Sequence, residues 1–307
     1  MDISGDERLE QHPAGLRPVD RLLMIVQALF AVYWAMSWGE ASIVPAMVAA
    51  HVIAIFVPVV ISRMARGGSR PLTLVRLVYP LIFIGIHWTE AGVIHTELHD
   101  SVFDTVVMGW DLALFGVHLQ EVWLPAMPYV WLSETMLLLY FTYYPVVFGS
   151  PLPLLYQKRD DATTDLVFRL FLTYMACFVI YLFFPVEGPK MSVGRFDGPH
   201  TQGFFYRLVE SLTEAGDSLG TAFPSSHVAG MTALAIAGYK WFGKKTNIVL
   251  TSLAIGMTVS TVYVQHHFAI DALAGVLLAV VCALVAPYLR RGLMRIPVPH
   301  RAARDSV

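Results

Sequence analysis

The chain has 307 residues, of which 56% are hydrophobic and only 14% are charged, and its mean hydropathy is +0.59. Soluble globular domains carry about 25% charged residues, so this composition excludes an ordinary soluble domain and indicates an integral membrane protein. A formal net charge of −2 gives no support to nucleic-acid binding. The two cysteines, Cys177 and Cys282, lie in apolar runs, which favours buried thiols over a disulfide or a metal site.

Eight stretches are apolar enough to cross a bilayer as helices, which takes about 20 mostly apolar residues each. They are Arg21–Trp38, Ser42–Ile61, Leu72–Trp88, Pro128–Phe148, Leu166–Phe184, Phe223–Trp241, Ile248–Val264 and Phe268–Leu289. The sequence therefore predicts an all-α, polytopic membrane helix bundle. No small-residue cleavage site follows the first apolar run, so we expect a retained span there and not a signal peptide.

Two longer polar segments separate the predicted spans. Glu90–Gln120 is acid-rich and is expected to form an interfacial helix with a wet, charged face. His95 and His99 in it could share a metal ion, but they lack the glutamate pattern of a zinc-protease helix. Pro185–Ala222 is polar and rich in glycine.

We divide the chain into four predicted regions. They are a cytoplasmic N-terminal tail (1–20), N-terminal spans with an outer interfacial segment (21–122), a C-terminal membrane core that carries the site (123–290) and a cytoplasmic basic tail (291–307).

Loop charges predict the orientation of the bundle, because lysine and arginine accumulate on the cytoplasmic side. Basic clusters precede the first span, lie between spans two and three, four and five, and six and seven, and follow the eighth. An even number of crossings separates successive clusters, so all fall on one side. This pattern predicts cytoplasmic termini and puts the start of the eighth span on the outer face. The short loops favour a bacterial plasma membrane, with a Golgi-type membrane as the alternative.

The start of the eighth span carries ionisable residues, which are candidates for a functional site when they lie at a membrane helix. His267 and Asp271 are four residues apart and therefore share one helical face. The carboxylate can hold one imidazole nitrogen as N–H and leave the other free. A histidine that only caps its own helix is the simpler alternative.

The start of the sixth span offers a seat for an anion. Ser225 and Ser226 favour helix capping, and the free backbone N–H groups of a helix start attract negative charge. His227 would stand beside such an anion, where it can protonate a leaving oxygen. A serine nucleophile with a histidine base is the competing interpretation, but no G-x-S-x-G turn surrounds either serine.

Two further outer-face cations, Lys190 and Arg195, suit a phosphate group, although attraction to lipid head groups would also explain them. Because the sixth and eighth spans both start on the outer face, His227 and His267 can meet there. One imidazole could then attack phosphorus while the other protonates the departing group.

These segments resemble the type-2 phosphatidic acid phosphatase superfamily of membrane phosphatases and phosphotransferases. Residues 224–227 read Pro-Ser-Ser-His, where the superfamily has Pro-Ser-Gly-His. Ser260, His267 and Asp271 match the spacing of its third motif, with Thr261 in place of an arginine. Its first motif, a lysine followed at a distance by Arg-Pro, is reduced to Gly-Pro-Lys190 and Arg195. These deviations are similar to the inositol phosphorylceramide synthase branch and, more loosely, to sphingomyelin synthases.

The resemblance implies roles for the conserved-type residues of these motifs. His267 would be the nucleophile that forms a phosphohistidine, Asp271 would orient it, and His227 would be the acid for the leaving alcohol and then the base for the acceptor. The expected phosphate ligands are Lys190, Arg195, Ser225, Ser226 and Ser260. His266 is a further candidate for substrate contact. No metal or cofactor is expected, because cations and backbone donors supply the charge stabilisation.

The sequence thus predicts a membrane enzyme that cleaves a phosphoester of a lipid or polyprenyl phosphate at the outer face. The acceptor is either water, in a phosphatase, or a lipid hydroxyl, in a phosphotransferase, and the motif deviations favour inositol-phosphate transfer. A lipid transporter with gating histidines is the alternative from another class. It would need ionisable residues at the midplane of several spans, and the sequence offers few. The lipid, the oligomeric state and the role of the first three spans stay open.

Overall fold

The computed structural model describes residues 15–295, and these residues form a bundle of α-helices. The helices are α1 (Pro18–Met36), α2 (Val44–Ala54), α3 (Val57–Met64), α4 (Arg70–Val78), α5 (Pro80–Leu98), α6 (Asp104–Phe115), α7 (Leu119–Ala126), α8 (Val130–Phe141), α9 (Tyr143–Gly149), α10 (Pro151–Tyr156), α11 (Asp160–Phe183), α12 (Pro189–Ser192), α13 (Phe204–Gly216), α14 (Ser226–Trp241), α15 (Lys244–Tyr263) and α16 (Ala269–Arg295). Over residues 15–295 no β-strand forms, and an isolated bridge joins Val186 to Thr221. The all-α prediction is confirmed.

Seven helical stretches within this range are long and apolar enough to cross a membrane, so the chain is an integral, multi-pass membrane protein. They are Pro18–Met36, Val44–Gly67, Arg70–Leu98, Val130–Tyr156, Asp160–Phe183, Lys244–Tyr263 and Ala269–Arg295. The predicted sixth span corresponds to α14, which has 16 residues. At 1.5 Å per residue α14 is about 24 Å long, shorter than a hydrocarbon layer of about 30 Å.

Helix ends differ from the prediction in two places. The third span continues to Leu98 and not to Trp88, so His95 lies on a membrane helix and not in an interfacial segment. The last span continues to Arg295, and residues 291–295 of the predicted tail are therefore helical. The remainder of that tail, 296–307, and most of the predicted N-terminal tail, 1–14, lie outside the described residues.

Helix α11 forms the centre of the bundle. Inside the structure 67% of its apolar window is buried, whereas only 17% of the Val44–Gly67 span is buried, which places that span at the periphery. Helices α5, α14 and α16 all pack against α11. Cys177 and Cys282 are both buried and free, as the sequence predicts.

One end of the bundle is tied together by charged side chains. Asp165 at the start of α11 accepts hydrogen bonds from Trp241 (2.7 Å), at the end of α14, and from Arg290 (2.9 Å), near the end of α16. Asp160 accepts one from Arg70 at the start of α4 (2.6 Å). The helix ends that carry the basic clusters therefore lie together at one end of the bundle, opposite the start of α16.

At the other end, α14 and α16 approach so closely that one position must be glycine. A Cβ atom on Gly275 would lie 2.5 Å from the carbonyl oxygen of Ser225 and 3.3 Å from Cβ of Val228. The backbone N–H of Ser225 also donates to the carbonyl of Asp271 (3.0 Å). This contact fixes the separation between the starts of the two helices.

We expect Gly275→Ala to lower stability, because the added methyl group forces α16 away from α14. Overpacking of this kind costs about 1–3 kcal/mol, which outweighs the gain of up to ~1 kcal/mol in helix propensity. Gly292→Ala, on the same helix, is the matched control, since nothing lies within 4 Å of its added methyl. The melting temperature of the detergent-solubilised protein should fall for the first variant only. Equal melting temperatures for the two variants would contradict the close contact.

Candidate active site

The turn between α15 and α16 holds His266 and His267 in place. Gln265 adopts a left-handed backbone conformation with φ of 60°. The carbonyl of Thr261, left free at the end of α15, accepts the amide N–H groups of His266 (3.0 Å) and His267 (3.1 Å). The Gln265 side chain accepts the N–H of Phe196 (3.2 Å), which joins this turn to the 185–222 loop.

Asp271 has two contacts that matter for the site. Its Oδ2 atom accepts the backbone N–H of Phe268 (2.9 Å) and lies 3.5 Å from Nδ1 of His267. The aspartate, and not the histidine, therefore caps the start of α16. Both Asp271 and His267 are buried, so the negative carboxylate favours a proton on the nearby Nδ1. The Nε2 atom of His267 then keeps its lone pair.

His227 lies in the same pocket as His267, although forty positions separate them in the sequence. The centroids of the two rings are 6.1 Å apart. The hydroxyl of Tyr140 lies 3.2 Å from Nε2 of His227, and the His227 ring packs on Tyr143 (4.3 Å) and edge-on to Trp88 (5.8 Å). Within residues 15–295 the Nδ1 atom of His227 has no hydrogen-bond partner. When Tyr140 donates to Nε2, the single proton of a neutral His227 is on Nδ1.

Tyr140 joins two histidines of the site and was not singled out by the sequence. Its ring stacks on His266 with centroids 4.6 Å apart, while its hydroxyl contacts His227. Tyrosines that are buried usually find a polar partner for the hydroxyl. The signal in the sequence was Tyr140, Tyr143 and Tyr144 within one predicted span, but nothing local told which partner they meet.

The two predicted cations meet at an acid that the sequence analysis did not identify. Glu210 on α13 forms an ion pair with Arg195 and lies 3.9 Å from Nζ of Lys190. Arg195 also reaches Nε2 of His266 (3.4 Å). Desolvation, and then the Arg195 cation, lower the pKa of His266 well below its ordinary value, so this imidazole is neutral at physiological pH. The cations are thus joined to the histidine turn through His266.

The predicted serines have structural contacts in this state of the protein. Ser225 caps α14, where its Oγ accepts the N–H of Val228 (3.4 Å). Ser260 donates to the carbonyl of Met257 one helical turn back (3.1 Å). Ser225, Ser226 and Ser260 are all buried. Their role as phosphate ligands stays a prediction.

The predicted interfacial segment is a clamp for the site and not a wet surface. Asp104, buried at the start of α6, accepts the N–H groups of Glu187 (2.9 Å) and Gly188 (2.8 Å) and the hydroxyl of Ser192 (2.9 Å). These bonds hold the loop that carries Lys190. Gly188 has a φ of +92°, and a Cβ there would lie 3.3 Å from the His266 carbonyl, so glycine is required.

A second acid of α6 holds the start of α16. Asp111 is fully buried and accepts the N–H of Ile270 (2.9 Å). The acid-rich composition of 90–120 was visible in the sequence, but the inward direction of Asp104 and Asp111 was not. Both act on loops that the sequence places far away.

A cavity of about 220 Å³ opens beside His227. Its walls are mostly aromatic, with one acid, and include Trp88, Tyr140, Tyr143, Tyr144, Phe148, Tyr174, Phe178 and Asp217. Trp88 belongs to α5, and its indole N–H donates to the carbonyl of Gly216 (2.9 Å). The third span, which had no role in the sequence analysis, thus forms part of the wall. A largely apolar pocket of this kind suits the hydrocarbon part of a ligand.

His95 and His99, considered as a metal pair from their spacing, have separate partners. His95 Nε2 lies 3.1 Å from Glu187, and His99 Nε2 lies 3.1 Å from both the Tyr33 hydroxyl and the Leu182 carbonyl. These contacts direct the two side chains to different neighbours.

Comparisons with known proteins agree with the location of this site. A family profile described as "PAP2 superfamily" matches residues 107–285. A PA-phosphatase related-family protein of Dictyostelium discoideum is 28% identical over 120 residues, which is 36% of this chain and 21% of the relative. The alignment thus spans about a fifth of that relative's length. No solved structure matches the chain.

Proposed function

The chain belongs to the PAP2 superfamily, and on that premise we propose that it is a membrane enzyme that cleaves a lipid phosphoester through His267 and His227. The observation that carries the proposal is the 6.1 Å separation of the two imidazole rings in one pocket. Two histidines from different helices, next to a pair of cations, match the needs of a double-displacement phosphoryl transfer. A single histidine at a helix start would explain neither the second ring nor the cations.

In the proposed first step, Nε2 of His267 attacks phosphorus and the bond to the lipid oxygen breaks. The departing oxygen takes the proton from Nδ1 of His227, and a phosphohistidine forms at His267. Asp271 stabilises the positive charge that develops on the attacking imidazole. In the second step, His227 removes the proton of the acceptor hydroxyl, whose oxygen attacks phosphorus and releases His267.

Charge on the phosphoryl oxygens would be balanced by Lys190, Arg195 and the free backbone N–H groups at the start of α14. The Glu210 carboxylate holds both cations at 3.9 Å or less, so a phosphate that enters would compete with it for them. This set of donors supplies the charge stabilisation without a metal ion. We propose Ser225, Ser226 and Ser260 as additional ligands that would have to exchange their helix contacts for the phosphate.

We further propose that the preferred acceptor is a lipid hydroxyl, as in inositol phosphorylceramide synthases. The group that must activate the acceptor, His227, faces a cavity with mostly aromatic walls, which favours an apolar alcohol over water. Position 261, where the superfamily motif has arginine, is a buried threonine here, which is the deviation that resembles the synthase branch. In such a reaction an inositol phosphate would move from a phospholipid to the acceptor hydroxyl. Simple lipid or polyprenyl phosphate hydrolysis is the alternative.

We propose that the termini lie in the cytoplasm and that the site faces outward, in a bacterial plasma membrane. The basic helix ends lie together at the end of the bundle remote from His267, which supports one common side for them.

The two histidines should respond differently to the leaving group. His227→Ala should slow release of phosphate from a short-chain phosphatidate by about 10²–10⁴-fold, because the alkoxide leaves without a proton. With p-nitrophenyl phosphate, whose leaving group needs no acid, the first step should survive and a phosphoenzyme should accumulate. His267→Ala should abolish both reactions and form no phosphoenzyme.

The matched control is His99→Gln, whose side chain contacts Tyr33 and Leu182 away from the cavity. Phosphate release and acid-labile labelling of the protein are measured for each variant after size-exclusion chromatography confirms folding. Phosphoenzyme in His267→Ala, or equal losses on both substrates in His227→Ala, would contradict the assigned roles.

The acceptor can be identified with phosphatidylinositol labelled in the inositol ring, supplied with ceramide or diacylglycerol. We expect the label to appear in a new lipid, because the walls around His227 favour an apolar hydroxyl. The products are separated by thin-layer chromatography. Free phosphoinositol as the labelled product, with ceramide present, would instead identify a hydrolase.

The orientation can be tested by cysteine labelling, since both native cysteines are buried. Glu214→Cys, on α13 near the site, should react with a membrane-impermeant maleimide in intact cells, whereas Lys244→Cys, at the basic end, should react only after lysis. Both positions are exposed, so the comparison depends on the side of the membrane. The reverse pattern would place the site in the cytoplasm.

A further inference from the structure

A second cluster of ionisable side chains lies among the N-terminal spans, before the region that matches the family profile. It is formed by Gln27 and Trp34 of α1, His51 of α2, and His87 and Glu90 of α5. All five side chains are buried, with 0–4% of their surface exposed. Ionisable groups buried in membrane helices are rare and usually functional, because their burial is costly.

The outer atom of each potential ligand is fixed by a neighbouring group. His87 donates its Nδ1–H to the carbonyl of Phe83 (2.7 Å). His51 Nδ1 lies 2.7 Å from the Gln27 carbonyl oxygen, and that oxygen can only accept, so Nδ1 carries a proton. The indole N–H of Trp34 donates to Oε1 of Glu90 (2.7 Å). Bonds of this type orient imidazoles and carboxylates that bind metal ions, and they fix the tautomer.

The inner atoms of the same three residues converge. With both Nδ1 atoms protonated, neutral His51 and His87 present bare Nε2 atoms. Oε2 of Glu90 has no hydrogen-bond partner within residues 15–295 and lies 3.9 Å from Nε2 of His87. His51, His87 and Glu90 can each offer one ligand atom such that all three lie within 4.8 Å of one another. Atoms bound tetrahedrally to an ion 2.0–2.1 Å away lie roughly 3.3 Å apart, which small side-chain adjustments reach.

A hydrogen-bond network without an ion is the rival explanation. The 2.6 Å contact between His51 Nε2 and Glu90 Oε1 could hold a shared proton, and the Gln27 amide lies 3.2 Å from His87 Nε2. This explanation leaves the buried Oε2 atom of Glu90 unpaired, which is costly away from water. An ion pairs that atom and gives up only the Gln27–His87 contact and the proton between His51 and Glu90.

We propose that His51, His87 and Glu90 bind a divalent transition-metal ion, Zn²⁺ foremost, between the three N-terminal spans. Two imidazoles and one carboxylate are a zinc donor set that leaves a fourth position for water or another ligand. Imidazole donors favour zinc, copper, iron or nickel over magnesium and calcium. The ion would join α1, α2 and α5, and α5 also carries Trp88 in the wall of the His227 cavity. The site is separate from the proposed phosphoryl-transfer chemistry.

The test is metal binding by the full chain in detergent. Protein stripped with EDTA is dialysed against Zn²⁺ or Co²⁺, and bound metal is measured by mass spectrometry together with the visible spectrum of the Co²⁺ form. We expect about one ion per chain and the intense visible bands of tetrahedral Co²⁺. Zn²⁺ should also raise the melting temperature, because it binds only the folded state.

Glu90→Gln keeps the size of the side chain and removes the charged ligand, so both the bound ion and the stabilisation by Zn²⁺ should be lost. His99→Gln is the matched control and should keep both. If Glu90→Gln does not fold, Trp34→Phe removes only the supporting N–H and should weaken binding by roughly 10–100-fold.

Absence of bound metal in the wild type, or full binding by a folded Glu90→Gln variant, would overturn the proposal. An ion retained by Glu90→Gln but lost in His267→Ala would place it in the other pocket and would also overturn the proposal. Phosphate release is not part of the readout, so the metal site and the proposed function can fail separately.

Discussion

The close contact between the starts of α14 and α16 is the constraint on which the candidate site depends. The Ser225 N–H donates to the Asp271 carbonyl, and Gly275 leaves the space for this approach. Because the bond joins two backbones, it fixes the relation between the helix starts before any side chain is considered. His227 and His267 each lie within a few residues of this contact. Groups held in this way need little further ordering when a substrate binds, which is the main benefit of a preorganised site.

Acidic residues act as structural clamps around that contact. Asp271 caps its own helix, Asp111 binds the next turn of the same helix start, and Asp104 holds the loop with Lys190. Each carboxylate accepts backbone N–H groups, and hydrogen bonds to a charged acceptor are stronger than neutral ones. The histidines and cations can therefore face the pocket, because other groups satisfy the backbone around them.

The N-terminal spans belong to the functional protein as well as to its membrane anchor. Residues before the family match contribute Trp88 to the wall beside His227, and its indole binds the end of α13. One helical position earlier, His87 faces the opposite way, into the buried cluster with Glu90. Helix α5 thus links the two polar centres of the protein, and the remaining faces of the bundle are apolar. Burial of charged groups is tolerated at these centres because each has partners close by.

The sequence by itself determined the class of the protein and the chemistry of its main motifs. Composition and apolar run length predicted the membrane bundle, since the cost of exposing backbone to lipid leaves few other folds. The four-residue spacing placed His267 and Asp271 on one face, because helical periodicity is local. Capping patterns located the start of α14 near Ser225, although they did not show that it would be too short for a full crossing.

Tertiary structure alone decided which distant residues meet. Tyr140 contacts His227 across 87 positions, and Asp104 reaches Gly188 across 84. Glu210 and Trp88 joined the site in the same way. No periodicity encodes such pairs, since they depend on how whole helices pack and rotate. For the same reason the sequence directed attention to His95 and His99, which are close in the chain, whereas the buried cluster of His51, His87 and Glu90 forms only when three spans come together.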